Sequence, residues 1–383
     1  MFSFIYTHAW DFQDEGLHDV CRRISDWGIE AVNLASSYHA GYFIHSHNPN
    51  HKMYMAEDGV VYFRPNKKYF EETPLKPNLA TIAQDTDWLD AVGQVAESYE
   101  IKLMSWTVCN HNTPLGLVHP EHTITNIFGD SYPHALCPSS PATRGYVRGL
   151  CRNLAAEYPM YAISLEAPDF RGIPHGHHHE RFGTFLRPLE ELLMSLCFCK
   201  WCLKRAGETG IELQSTGVLV REHLGSYFEE APLAPRGRPA NLGEMLDAIP
   251  ELAEMMRFRE KVEASLVAEI RHDLALLGET LLVAHDGYRA DYVASVDGFI
   301  VDCYGKGPDD IFQTLVKERS ATGKELWAGL RTGFNEILGP GELEDLVTVA
   351  TKGGADGVGF YNYSETPLRA LEWIRTALIR QPG

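Results

Sequence analysis

The sequence is short of positive charge: 34 Lys and Arg face 52 Asp and Glu, a formal net charge of −18 over 383 residues. A surface that acidic repels phosphate backbones, and no basic run interrupts it, so nucleic acid is excluded as an expected partner. Apolar runs are short, and none approaches the roughly 20 residues that span a membrane. The opening Met1-Phe2-Ser3-Phe4-Ile5-Tyr6 has no basic segment followed by a long apolar one, so it does not read as a signal peptide. There is no internal repeat, no low-complexity tract and no Gly-rich phosphate turn after the first apolar run. Cysteine is sparse as well, since eight in this length do not make a disulfide framework. The expectation is a soluble, cytoplasmic chain with no organic cofactor. Oligomeric state is left open, a homo-oligomer included.

What is there is an alternation of short apolar runs with helical patterns. The spacing predicts strands at residues 2–7, 31–35, 102–108, 161–165, 281–284, 298–301, 326–328 and 357–361. Between them, apolar residues recur at helical spacing, as in Leu17, Val20, Cys21, Ile24 and Trp27, with Gly28 as the stop. Ser140-Pro141 makes a helix start before Tyr146, Val147, Leu150, Cys151 and Leu154. Eight strands each followed by helix predict an α/β fold, a (β/α)₈ TIM barrel spanning residues 1–383 as one domain. A doubly wound open sheet is the alternative, and it lacks its phosphate turn. Long loops are expected at about residues 38–80 and before Pro138. Residues 168–278 read as an enlarged loop and helical insertion after strand four.

In such barrels the chemistry gathers where strands end. Those positions hold His8, Asp11 and Asp14; Ser36, Tyr38 and His39; Trp106, Asn110 and His111; Glu166 and Asp169; His285 and Asp286; Asp302 and Tyr304; Arg331; Asn362 and Tyr363. Carboxylates, imidazoles, amides and rings on one rim suit a polyhydroxylated ligand, because rings stack on sugar faces and polar groups read hydroxyls. His8, Asp11, His111, Asp302, Arg331, Asn362 and Tyr363 are the candidate sugar-binding residues. Glu166 closes the apolar run Tyr161-Ala162-Ile163-Ser164-Leu165, which makes it a partly desolvated candidate for proton transfer. A carboxylate bonded to loop amides or an arginine is the plainer alternative. Asp14 and His134 are further catalytic candidates near the mouth, although either Asp11 or Asp14 also suits a helix cap. The run His175-Gly176-His177-His178-His179 is a solvated loop, a substrate contact or an adventitious metal site.

Cys197, Cys199 and Cys202 form a C-x-C-x-x-C cluster, and tetrahedral zinc takes four ligands. With Cys137-Pro138-Ser139-Ser140-Pro141 before Glu166, the order resembles glycoside hydrolase family 42 β-galactosidases over roughly residues 130–205. That resemblance implies a structural zinc held by Cys137, Cys197, Cys199 and Cys202, with Glu166 as acid/base. The chain departs from the family where Leu165 stands before Glu166 and where strand seven ends Leu330-Arg331-Thr332-Gly333, with no carboxylate. An inverting mechanism with a water nucleophile suits that gap better. The placement of Asp14, in Trp10-Asp11-Phe12-Gln13-Asp14-Glu15-Gly16, and of His134 is similar to the inverting sialidases of glycoside hydrolase family 156. This second resemblance implies Asp14 as base, His134 as acid or its partner, and Arg331 meeting a sugar carboxylate.

The expected activity is hydrolysis of a terminal glycosidic bond, exo-acting because the loops after strands two, three and four should wall the site. Two rivals stand beside it. One is a metal-dependent sugar isomerase or epimerase using His111, Glu166, His285, Asp286 or Asp302 as ligands. The other is a non-catalytic sugar-binding barrel.

Overall fold

A computed structural model describes residues 1–173, 185–230, 239–285, 287, 289–333 and 337–379. Eight parallel strands run in chain order: β1 (Phe2–Thr7), β2 (Ala31–Tyr38), β3 (Lys102–Val108), β4 (Met160–Glu166), β5 (Leu281–Ala284), β6 (Gly298–Asp302), β7 (Glu325–Arg331) and β8 (Gly357–Tyr361). Each pairs with the next, and β1 pairs with both β2 and β8, which closes a (β/α)₈ barrel. The expected strands are all present, some longer than the apolar runs alone suggest. Burial explains the runs: all eight residues of β2 are buried, as for a strand covered on both faces.

Amphipathic helices cover the strands. Leu17–Asp26 buries Val20, Cys21 and Ile24. Pro141–Glu157 starts where Ser140 accepts the Thr143 N–H at 3.4 Å, with Pro141 in a first turn that needs no N–H donor. No helix among the described residues is long and apolar enough to cross a membrane.

Two local details differ from the sequence reading. Asp11 and Asp14 lie inside a separate short helix, Ala9–Glu15, rather than at the start of the next one. Gly16 divides the two helices because it adopts φ 88°, a conformation costly for any side chain. The expected long loops also contain structure. Gly41–Ile44 pairs with Met53–Ala56, Thr123–Thr125 pairs with Ser131–Leu136, and Thr113–Val118 is a helix. These pieces are too short to carry a periodic signal of their own.

Between β4 and β5 the described residues form the helices Pro188–Met194, Lys200–Glu208, Leu213–Glu230, Leu242–Ala248 and Glu251–Ala275. They build a second apolar core with Leu193, Leu196, Leu224, Leu252 and Met255, separate from the barrel's own. The His175–His179 run lies outside the described residues, as does Asp286.

Candidate active site and cysteine cluster

A pocket of about 360 Å³ opens at the ends of the strands where the βα loops begin. It is lined by Tyr6, Tyr38, Trp106, Glu166, Arg171, His285, Tyr304, Arg331 and Tyr361. The rings meet edge to face, the arrangement their quadrupoles favour: Tyr38 and Trp106 at 4.9 Å and 76°, Tyr6 and Trp106 at 5.2 Å and 78°. Arg331, the last residue of β7, lays its guanidinium 4.7 Å from the Tyr304 ring centroid.

Glu166 ends β4 and is half-buried. Its Oε2 accepts the indole N–H of Trp106 at 2.5 Å. The backbone then turns sharply, because Ala167 adopts φ 56°, where an L side chain costs about 1 kcal/mol. Asn110 N–H to the Ala167 carbonyl, at 3.0 Å, and Cys109 N–H to the Glu166 carbonyl, at 2.9 Å, hold that turn. Strain over-determined in this way is typical of functional sites. Further along the loop Arg171 pairs with the buried Asp169, which also takes Arg289 at 2.9 Å. Burial pushes the Asp169 carboxyl up, but the two guanidiniums prevail and hold it below the usual range.

The other candidates surround this pocket at different depths. His8 is fully buried behind Tyr38 and Trp106, stacked on Trp10 at 4.2 Å. Burial drives its imidazole well below the usual 6.5, so it is neutral. Asp11 accepts the His8 backbone N–H at 2.8 Å, and burial pushes its carboxyl up to about 7. Asp14 accepts from Asn48 at 2.8 Å and Asn50 at 3.1 Å and does not line the pocket. His134 has its Nε2 3.1 Å from the Gly172 carbonyl and meets the His111 ring at 5.9 Å; His111 in turn stacks on His39 at 4.3 Å. Asp302 caps its own turn by accepting the Tyr304 N–H. Asn362 donates to Glu365 at 2.7 Å. Tyr363 faces away from the pocket, its hydroxyl donating to Glu15 at 2.9 Å and accepting from Arg23 at 2.7 Å. Of the ten candidates named for catalysis or sugar binding, Glu166 and Arg331 line the pocket.

Tyr6 and Tyr361 line the pocket and were not singled out in the sequence. Tyr361 could have been, as the last residue of β8.

A second constellation lies where the loop after β3 meets the appendage, the helices between β4 and β5. The sulfur atoms of Cys137, Cys197, Cys199 and Cys202 all fall within 4.8 Å of one another, and all four residues are buried. Cys137 Sγ is 3.5 Å from Cys202 Sγ, 3.8 Å from Cys197 Sγ and 3.6 Å from Cys199 Sγ. A tetrahedron with zinc–sulfur bonds of about 2.3 Å has edges of about 3.8 Å, so the spacing suits that ion. Burial pushes the Cys137 and Cys202 thiols well above their usual range, so four thiolates there need a cation. Among the described residues no other three or more His, Cys, Asp or Glu come close enough to share an ion.

No protein-family model matches the chain, and no curated protein does. Solved structures share its fold. The α-L-fucosidase isoenzyme 2 of Paenibacillus thiaminolyticus is 13% identical at TM-score 0.60, over 99% of this chain and 49% of that one. A β-galactosidase from the psychrophilic Marinomonas ef1 is 12% identical at TM-score 0.57, over 99% and 59%. The PgaB (BpsB) glycoside hydrolase domain from Bordetella bronchiseptica is 10% identical at TM-score 0.58, over 94% of each chain. The chain thus spans about half the length of the fucosidase and nearly all of the PgaB domain. At these identities the likeness is one of fold: this (β/α)₈ barrel has glycoside hydrolases as structural neighbours.

Proposed function

We propose that this chain is a glycoside hydrolase that removes a terminal sugar in the pocket at the barrel mouth. The observation that carries the reading is Glu166, a carboxylate at the end of β4, opening into a ring-lined pocket that draws on every strand. Tyrosine hydroxyls, His285 and two arginines surround it, the groups that orient a polyhydroxylated ligand. A volume of about 360 Å³ suits one sugar and the start of its leaving group, which supports exo action. Arg331 stands where a strand-seven nucleophile would, which supports inversion by water.

Glu166 is the first choice for proton transfer because it lines the pocket. In the version that follows family 156, Asp14 is the base, His134 the acid or its partner, and Arg331 binds an anionic sugar. The family 42 likeness lends the reading a structural zinc at Cys137, Cys197, Cys199 and Cys202, with every position filled by protein and no catalytic water. Eight unpaired, buried cysteines support a reducing, cytoplasmic setting.

The test is a hydrolysis screen of neutral, sialic and uronic chromogenic glycosides on the wild type, Glu166→Gln, Asp14→Asn and His134→Ala. Turnover by the wild type and its loss in Glu166→Gln is the expected result. Loss in Asp14→Asn and His134→Ala with a weak Glu166 effect would favour the sialidase-like version. No turnover of any glycoside, with sugar binding retained, would make this a sugar-binding barrel instead.

A further inference from the structure

A second cavity lies in the appendage, away from the mouth, and its charge runs against that of the chain. It has a volume of about 420 Å³ and sits between the end of helix Lys200–Glu208 and the middle of helix Glu251–Ala275. Arg205 lines it from the first helix, Arg257 and Lys261 from the second, and Glu254 is the one carboxylate among the described lining residues. We propose that this cavity binds a small organic phosphate with a hydroxyl-bearing body, the class to which sugar phosphates belong. The assignment does not depend on the glycoside-hydrolase reading above.

The three cations are left without partners in a chain where acidic groups outnumber basic ones by 52 to 34. On the neighbouring helix Pro141–Glu157, by contrast, Arg144 forks onto Glu269 at 2.7 and 3.1 Å, and Arg148 onto Asp273 at 2.7 and 2.9 Å. Among the described residues Arg205, Arg257 and Lys261 form no side-chain ion pair or hydrogen bond. Arg257 and Lys261 stand one turn apart on a single helix, a spacing at which like charges repel. Glu254 stands one turn before Arg257 and forms no ion pair with it. A cation in a last turn suits the helix dipole, which accounts for Arg205 but not for the other two. An anion bound among the three would offset their repulsion and tie the helix that carries Cys202 to the long one.

The rest of the lining indicates what the anion is attached to. Phe258 and Val262, buried in the second core, and the half-buried Ile211 give the cavity an apolar floor for a carbon skeleton. Glu254 only accepts, so it reads hydroxyl groups on that skeleton. The two hydroxyls on the wall are already engaged as donors. Ser265 donates to the Val262 carbonyl at 2.8 Å while accepting from Arg144 at 3.1 Å, and Thr209 donates to the Ala206 carbonyl at 2.9 Å. The side-chain donors left for an oxyanion are therefore those of Arg205, Arg257 and Lys261. Two guanidinium forks match phosphate oxygens in pairs, and the lysine adds a point charge. A bare phosphate would occupy only part of the volume, which leaves room for the organic body.

The experiment is calorimetric titration of the full chain, with its metal content measured, at low and high salt. The probes are inorganic phosphate, glucose 6-phosphate and glucose, and the variants are Arg257→Gln, Lys261→Gln and Glu166→Gln. Arg257 and Lys261 are exposed, and thermal melts without ligand check that their variants fold. Glucose 6-phosphate should saturate a single site, bind more tightly than inorganic phosphate, weaken as salt rises and raise the melting transition. Arg257→Gln and Lys261→Gln should each weaken it by about tenfold, and Glu166→Gln should leave it unchanged. No saturable binding of either phosphate, or binding unmoved in both cation variants, would overturn the assignment. Binding lost in Glu166→Gln would place the ligand at the mouth and overturn it too, as would glucose binding as tightly as its phosphate. Equal affinity for inorganic phosphate and glucose 6-phosphate would overturn the organic body and leave an adventitious ion only.

Discussion

The pocket at the barrel mouth draws a residue from each of eight strands or the loop just behind it, whereas the cysteine cluster draws four sulfur atoms from residues 137 and 197–202. The mouth is open, carries backbone strain at Ala167 and depends on closure of the whole barrel. The cluster is buried in its own apolar core and needs two short stretches to meet. A site assembled from distant strands can be altered at one position without changing its neighbours' shape. A closed four-ligand site fails as a unit. The proposed chemistry and the proposed structural metal thus lie in different parts of the chain, and that division can be tested.

The largest expected effect is at the mouth. Glu166→Gln should lower kcat by about 10³-fold or more while leaving metal content and the melting transition unchanged. Next is the cluster, where Cys137→Ser should abolish retention of one zinc per chain, read by elemental analysis. It should lower the melting transition by about 5 °C or more. Below that transition turnover should stay within a few-fold of wild type; activity that disappears with the metal would erase the division.

Asp11, beneath the mouth, sharpens the comparison through pH. Its folded value of about 7 lies above the ordinary 3.8, so the folded state binds the proton more tightly. Stability from this group is therefore full below about 4 and falls as pH rises to about 7, by at most about 4 kcal/mol. His8 acts in the opposite sense, losing stability as pH drops through 6.5. The difference between wild type and Asp11→Asn isolates Asp11: the variant should gain relative stability at pH 8 over pH 4.5 in urea titrations. The smallest effect belongs to Ala167→Gly, which relieves the left-handed turn after Glu166. It should change stability by about 1 kcal/mol or less, while the same substitution at Ala206, a helix interior in the appendage, should destabilise.

Much of the scaffold was legible in the sequence because buried parallel strands are continuous apolar runs. Tyr161 to Leu165, for instance, could only be a strand between two helical patterns. Three of the four cysteines were legible because they share a hexapeptide, whereas Cys137 entered only through the family 42 resemblance and the structure places its sulfur beside theirs. The mouth was legible by position rather than by role. Tyr38, Trp106, Glu166, His285, Tyr304 and Arg331 stand at strand ends and do line the pocket. Tyr363 shows the limit: one residue past Asn362 its side chain turns to Arg23 and Glu15, and no pattern in the sequence announces that turn. Asp14 is similar, since its Asn48 and Asn50 donors lie in a segment with no periodicity of its own.

The seam that closes the barrel bears on how the protein is made. Phe2 pairs with Gly357, so the first strand leaves the ribosome long before its second neighbour exists. Until β8 is synthesised, β1 and β7 each present an unpaired edge to other chains. The second core, with described members from Ile124 to Val262, has all of its members while the barrel is still incomplete. During synthesis the residues of the second core are therefore all present before the sheet can be sealed by the last strand. Slow translation of the final quarter would lengthen the period in which nascent chains can join edge to edge.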